Sequence, residues 1–309
     1  MRCFVTRVSR LANRPRTTIV LALNIAILAA NMSGASLKSE TVNAWDEYVR
    51  NARVRMEQRL GGDSTFLWID ESPDRAARVR RQAVVAPVGP QVPAKVPDGL
   101  VHHWIGAAFI PGADINDVLC VMRDYGRYRE IYSPSVVESQ ALAMSKTVDR
   151  FSMVLVNRSL FSKTALQGNY QSSYVRINDR RLYSVSNTTS MREIADYGSP
   201  GQHVLPDNEG MGLIWRGYSF TRFEERDGGV YIETEVLALS RDIPAGLRWL
   251  VEPIVRRTSR DALTTALRQT SDAVQYALAG SRPPQTLHPA LLDVDLSPSV
   301  DFRPSKDRR

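Results

Sequence analysis

Apolar residues return every three or four positions from 38 to 60, at Val42, Trp45, Val49, Ala52, Met56 and Leu60. That spacing predicts an amphipathic helix, and Gly61-Gly62 stops it. A short apolar piece, Phe66 to Ile69, follows, and Pro73-Asp74 opens a basic helical stretch to about Gln82. Pro87, Pro90, Pro93 and Pro97 mark 87–98 as a linker. A strand is predicted over 100–110, closed by Pro111-Gly112, and a short helix over 115–123 with Asp114 as its cap. The next stretch carries Tyr125, Tyr128 and Tyr132, and Pro134 disfavours further helix there. Strands follow in succession over 136–144, 149–156, 163–177, 181–194, 212–225 and 230–239. Turn signals at Asn157-Arg158, Asn178-Asp179 and Asp227-Gly228-Gly229 separate several of them. Short turns between strands imply an antiparallel meander. The last element is a long helix over 244–279. Leu247, Leu250, Val251, Ile254, Val255, Thr258, Ala262, Ala266, Thr270, Ala273 and Ala277 form its stripe. Pro253 lies inside the pattern and is expected to kink or split it.

The final hairpin is legible in more detail. A loop Asp227-Gly228 pairs Arg226 with Gly229, and a loop Gly228-Gly229 pairs Asp227 with Val230; both put the same residues on the same face. One face then carries Leu213, Trp215, Gly217, Ser219, Thr221 and Phe223 with Val230, Ile232, Thr234, Val236 and Ala238. It holds no charge and several small residues, which suits a core or a cavity beneath the long helix. Trp215, Ser219, Thr221, Phe223, Ile232 and Thr234 are its candidate ligand-lining residues. Apolar alternation alone leaves a filled core as the alternative. The other face pairs Arg222 with Glu233 or Glu235, expected as exposed ion pairs of under about 1 kcal/mol. Tyr218, Phe220, Leu237 and Leu239 share that face and need cover, for which Trp45, Val49 and Met56 of the first helix are candidates.

The termini change the reading of charge. The formal net charge is +7, but Arg2, Arg7, Arg10, Arg14 and Arg16 supply five of those charges, leaving +2 from residue 36 onward. The basic pI of about 9.6 is therefore largely local to the N-terminus and gives little support for nucleic-acid binding. Behind the arginines an apolar run from Ile19 to Ala30 leads to Ser33-Gly34-Ala35. This is the order of a secretory signal, so residues 1–35 are expected to be a signal peptide and the protein to be exported, periplasmic or secreted. An uncleaved anchor is the alternative, although the run is short for a span of about 20 residues. Without that segment Cys120 is the sole cysteine, and no internal disulfide forms. Residues 281–309, rich in proline and polar residues, are expected to be a disordered tail.

Candidate chemistry is sparse. There is no HExxH, no CxxC pair, no P-loop and no GxSxG, so no catalytic residue, metal ligand or cofactor is assigned. His102 and His103, adjacent on a strand, point to opposite faces and cannot share a metal. Glu233 and Glu235, two apart, have a spacing open to acid–base work but face away from the uncharged side. Arg80-Arg81 and the arginines of the long helix suit either solvent or anionic headgroups in a peripheral membrane contact.

Three stretches resemble the START-like superfamily, which includes pollen-allergen, polyketide-cyclase and lipid-transfer families. Phe109-Ile110-Pro111-Gly112 through Asp124-Tyr125 resembles its strand–proline–helix–aspartate opening. Ile131-Tyr132-Ser133-Pro134 resembles its entry into the second strand, and Leu239-Ser240-Arg241-Asp242-Ile243-Pro244 its passage into the long helix. The likeness covers residues 98–280 and is one of element order. It implies an α+β helix-grip fold, a curved antiparallel sheet wrapped around a long C-terminal helix, preceded here by an extra N-terminal helical segment and linker over 36–97. It further implies a mostly apolar cavity between sheet and helix for a lipid or other apolar small molecule. A carrier or sensor is the leading expectation; a cyclase or hydrolase in the same cavity, or a protein-interaction module using the first helix and outer sheet face, are the others.

Overall fold

The computed structural model describes residues 34–62, 64–158 and 163–280. The expected signal segment, apart from Gly34 and Ala35, and the expected tail, 281–309, lie outside the described residues. Strand β1 (Ala35–Ser36) leads into helix α1 (Ser39–Gly61). Gly62 ends that helix at φ +89°, a left-handed conformation that glycine adopts without a Cβ clash. A 3-10 turn, Trp68–Glu71, and helix α2, Pro73–Val79, follow. The side chain of Ser72 caps α2 by accepting from the Arg75 amide.

The proline-rich stretch is not a free linker. Strands β2 (Val84–Pro87) and β3 (Ala94–Val96) both pair antiparallel with strand β4 (Gly99–Pro111). Prolines are tolerated there because β2 and β3 form the sheet edge. Helix α3 (Ile115–Met122) starts on a capping box between Asp114 and Asp117. A 3-10 turn, Tyr125–Arg127, and one turn of helix, α4 (Tyr128–Ile131), lead to the meander: β5 (Val136–Ala143), β6 (Asp149–Arg158), β7 (Lys163–Asn178) and β8 (Arg181–Ala195). Two short strands, β9 (His203–Val204) and β10 (Glu209–Gly210), come next; β9 adds to β8, and β10 pairs with β1. The hairpin β11 (Arg216–Arg226) and β12 (Gly229–Arg241) completes the sheet, in the first of the two registers read from its sequence, Arg226 opposite Gly229.

Among the described residues the main sheet runs β2-β4-β12-β11-β8-β7-β6-β5, so the first long strand lies beside the last. Helix α5 (Arg248–Leu278) crosses one face. Pro253 does not split it; the helix is continuous through that residue. Gly106 of β4 permits its close approach, because a Cβ there would lie 2.8 Å from a Leu267 methyl and 3.1 Å from one of Leu263.

Both faces of the sheet are covered. On the concave face Phe223, Leu182, Ile232 and Ile110 pack with Leu267 and Val274 of α5 and with α3. On the convex face Trp45, Val49, Ala52 and Met56 of α1 cover Tyr218, Phe220, Leu237 and Leu239. Leu67, Ile69 and Val79 extend that cover over Ala107 and Tyr231. This is α+β helix-grip architecture with an added convex-side layer.

Candidate functional site

The concave face is read by following the strand register across the sheet. One row runs Ala108, Ile232, Phe223 and Leu182. The next runs Gly106, Thr234, Thr221, Ser184 and Tyr174. The third runs Trp104, Val236, Ser219, Ser186, Ser172 and Asp149. The chemistry changes from row to row. The first is wholly apolar and buried beneath the C-terminal half of α5. The second and third carry six serine and threonine hydroxyls on short side chains.

Coverage changes with it. The buried residues of α5 are Leu267, Thr270 and Val274, all in its C-terminal half. Its N-terminal half leaves Ser219, Thr234, Val236 and Ala238 only half-buried. Some hydroxyls satisfy each other: Thr221 and Thr234 lie 3.2 Å apart, and Ser172 bonds Ser186. Ser219 makes no side-chain hydrogen bond among the described residues. The concave face is thus fully buried at the hairpin-tip end and only half-buried at the other.

This sorts the six expected lining residues. Ser219, Thr221 and Thr234 lie together in the hydroxyl rows. Phe223 and Ile232, 0% and 2% exposed, belong to the filled core beside them. Trp215 does not join the set: it packs on the convex face with Trp45, Val49 and Met56. The expected alternation fails because β11 begins at Arg216. Trp215 donates its N–H to Leu239 O at 2.7 Å, while Arg216 is itself opposite Leu239. Two residues facing one shift the side chain across the sheet.

At the far end of the third row lies a buried polar cluster with no clear sequence signal beyond its tyrosines. Asp149 accepts from Arg123 Nε and Nη2, each at 2.8 Å, from Tyr125 Oη at 3.0 Å and from the Ser145 amide at 3.3 Å. Four donors occupy the carboxylate, so it serves as an anchor rather than a free base. Tyr125 Oη also meets Tyr174 Oη at 3.1 Å, and burial pushes both phenols far above their ordinary range. Phe151 stacks on Tyr125 and on Tyr170, at centroid distances of 4.1 and 5.1 Å, which closes this end with aromatic rings.

At the other end, a cleft of about 530 Å³ opens between β4 and the start of α5. Trp104 forms its sheet side, and Arg248, Trp249, Glu252, Arg256 and Arg260 contribute to its helix side. Trp249 is 77% exposed at the rim. Trp104 is 6% exposed, yet its Nε1–H has no acceptor among the described residues. Two positions along β4, His102 Nε2 meets Ser240 Oγ at 2.9 Å, while its buried Nδ1 has no partner among the described residues. Burial lowers the His102 pKa to about 4, so the ring is neutral at pH 7.

The convex-face charges differ from expectation in burial, not in placement. Arg222 and Glu233 are both 0% exposed, and Glu235 is 6% exposed. Arg222 Nε donates to Glu233 Oε1 at 3.0 Å, and Glu233 also accepts from the amides of Trp68 and Ile69 at 2.9 and 3.1 Å. Glu235 meets His103 Nε2 at 2.7 Å, and His103 Nδ1 meets Tyr48 Oη at 3.1 Å. Burial raises the Glu233 pKa despite Arg222 beside it. For Glu235 burial pushes upward as well, but His103 and Arg222 outweigh it and hold the carboxyl below its ordinary value. The chain from Tyr48 to Glu233 therefore pins α1 and the 3-10 turn to the sheet.

Among the described residues no group of three His, Cys, Asp or Glu is placed to hold a metal ion, and no helix is long and apolar enough to cross a membrane.

No family model and no curated protein matches this chain. Solved structures do align with it. A STAR-related lipid transfer protein from Xanthomonas axonopodis is 17% identical over 60% of this chain and 98% of its own, with a TM-score of 0.42. Human STARD10 is 11% identical over 69% of this chain and 84% of its own, with a TM-score of 0.43. The Zhui aromatase/cyclase from Streptomyces sp. R1128 is 9% identical over 58% and 98%, with a TM-score of 0.35. At this distance the fold description rests on the chain's own topology: a curved antiparallel sheet, its first long strand beside its last, gripping a C-terminal helix in the helix-grip manner.

Proposed function

We propose that this is an exported binding protein for a small molecule with a substantial apolar part, held on the concave face beneath the N-terminal half of α5. The observation that carries this reading is the uneven filling of that face. The C-terminal half of α5 buries Leu267 and Val274 into the sheet, whereas the N-terminal half leaves Ser219, Thr234, Val236 and Ala238 half-buried. A pocket of apolar surface with a few orienting hydroxyls is what a small-molecule site requires. Asp149, the carboxylate nearest to it in register, is already saturated, which favours carriage over catalysis. Export is supported by the basic, apolar and small-residue order of the first 35 residues.

Native mass spectrometry of the protein purified from the extracytoplasmic fraction of its own host tests both parts. The expected mass begins at Ser36 and carries an additional apolar molecule that is lost on activation. In the same preparation Ser219→Phe, which fills the open end, is expected to arrive without that molecule and to bind an apolar fluorescent probe at least about tenfold more weakly than the parent, while costing about 1–3 kcal/mol of stability. A Ser219→Phe protein that retains both ligand and probe would refute the site. A full-length cytoplasmic mass starting at Met1 would refute export.

A further inference from the structure

We propose that the ligand is an anionic amphiphile, its carboxylate or phosphate headgroup held in the cleft between Trp104 and the start of α5, and its chain laid along the hydroxyl rows. This inference rests on the binding reading above and narrows the class of ligand.

Position is the first support. Trp104, the sheet side of the cleft, stands in the same transverse row as Val236, Ser219 and Ser186. A headgroup at Trp104 therefore places the attached chain directly onto the half-buried part of the concave face, and the cleft becomes its polar end.

Charge is the second. Arg248, Arg256, Arg257 and Arg260 line the cleft with Glu252. Arg248 pairs with Asp242 at 3.1 Å, and Arg257 and Arg260 share Asp261 at 3.6 and 3.0 Å. Arg256 has no carboxylate partner among the described residues. Four guanidinium groups thus face three carboxylates, and the surplus charge is positive. Arginine's planar fork matches a carboxylate or phosphate with paired hydrogen bonds.

The third support is independent of the helix. Trp104 is more than nine-tenths buried, and its indole N–H has no acceptor among the described residues. A buried donor without a partner is costly. An indole N–H donates only, so the partner it lacks is an acceptor, and a headgroup oxygen in the cleft would supply one on a small turn of the ring toward it. Trp249, largely exposed at the rim, is placed to cover the first methylenes of the chain.

The test compares a fluorescent long-chain fatty acid, the corresponding alkyl phosphate and the methyl ester of the acid, titrated into the full protein. The acid and the phosphate are expected to bind at least about tenfold more tightly than the ester, as charge-assisted hydrogen bonds warrant. Arg256→Gln, a change at an exposed position, and separately Trp104→Phe, should reduce the acid-to-ester ratio toward one. Equal binding of acid and ester would overturn this proposal and leave the binding function standing. Failure of all three probes would instead remove the binding function itself. Inorganic phosphate that displaces the acid at the concentrations where an unlabelled fatty acid does would reveal a small-anion site and overturn the amphiphile reading. So would phosphatidylglycerol vesicles that bind parent and Ser219→Phe protein alike while the monomeric acid binds neither, because the arginines would then face a membrane.

Discussion

A guanidinium with no solvent exposure is rare, and Arg222 shows what it requires. It lies between two carboxylates, with Nε bonded to Glu233 at 3.0 Å and Nη2 3.5 Å from Glu235. Desolvating such groups costs several kcal/mol per ion, and the pair stabilises the fold only as long as both partners are present. Arg222→Ala is expected to destabilise the protein by about 3–5 kcal/mol in urea unfolding, because Glu233 would remain buried and uncompensated. Replacing Arg222 and Glu233 together with Met and Leu removes the stranded charge but leaves the Trp68 and Ile69 amides without their acceptor, so it should recover only part of that loss. His102 makes a pH-dependent contribution. Its folded-state pKa is about 4 against an ordinary 6.5, so between those values the unfolded chain binds more protons than the folded one. Stability from this residue is complete above pH 6.5 and is lost as pH falls toward 4, by a few kcal/mol at most. Thermal melts of His102→Gln from pH 7 to pH 4 are expected to fall less steeply than those of the parent. A parallel descent would show that His102 does not titrate with folding. Only part of this was legible in the sequence. Alternation gave the faces of Arg222, Glu233, His102 and His103, since side-chain period does not depend on environment. It did not give burial, which depends on what a distant segment lays over the face.

The first helix is that segment. Trp45, Val49, Ala52 and Met56 are all buried, and they cover Tyr218, Phe220, Leu237 and Leu239. Apolar residues on the same strand face as charges were the legible sign that something covers both, and the period of α1 identified the cover. Trp45→Ala should cost about 3–5 kcal/mol by chemical denaturation, with exposure of the convex face detectable as increased dye binding; a change under 1 kcal/mol would mean that α1 is a loose appendage. Two elements escaped the sequence for definite reasons. Strands β2 and β3 are four and three residues long and flanked by prolines, too short for a period to emerge. Trp215 was misplaced because the slip at Leu239 occurs outside the strand, where no periodicity exists to reveal it. The half-buried end of the concave face also lay beyond sequence reading. The apolar stripe of α5 continues over residues that the structure leaves exposed, such as Ile254, so the stripe alone does not show where helix and sheet touch.

At the scale of the whole molecule, two layers lie on one sheet and answer to different demands. The convex layer is closed by α1, by the 3-10 turn and by the chain of hydrogen bonds from Tyr48 to Glu233. The concave layer is closed only over half the length of α5. Rigidity is thus concentrated on the face away from the proposed ligand, and the less tightly packed parts of a fold are where binding elements are drawn from. The pairing of β4 with β12 has one more consequence, and it concerns time rather than shape. Each residue of β4 meets a partner roughly 120 to 140 positions later in the chain, and its remaining neighbours β2 and β3 are short edge strands. Contacts this distant in sequence are slow to form, because the loop entropy is lost before the contact is gained. A chain emerging from its N-terminus therefore carries β4 with one long edge unpaired until residue 241 has followed it. Throughout that interval the apolar strand Gly99–Pro111 is available to other chains, which makes the newly made protein a natural client for chaperones at a stage when the finished one, with that edge paired, no longer is.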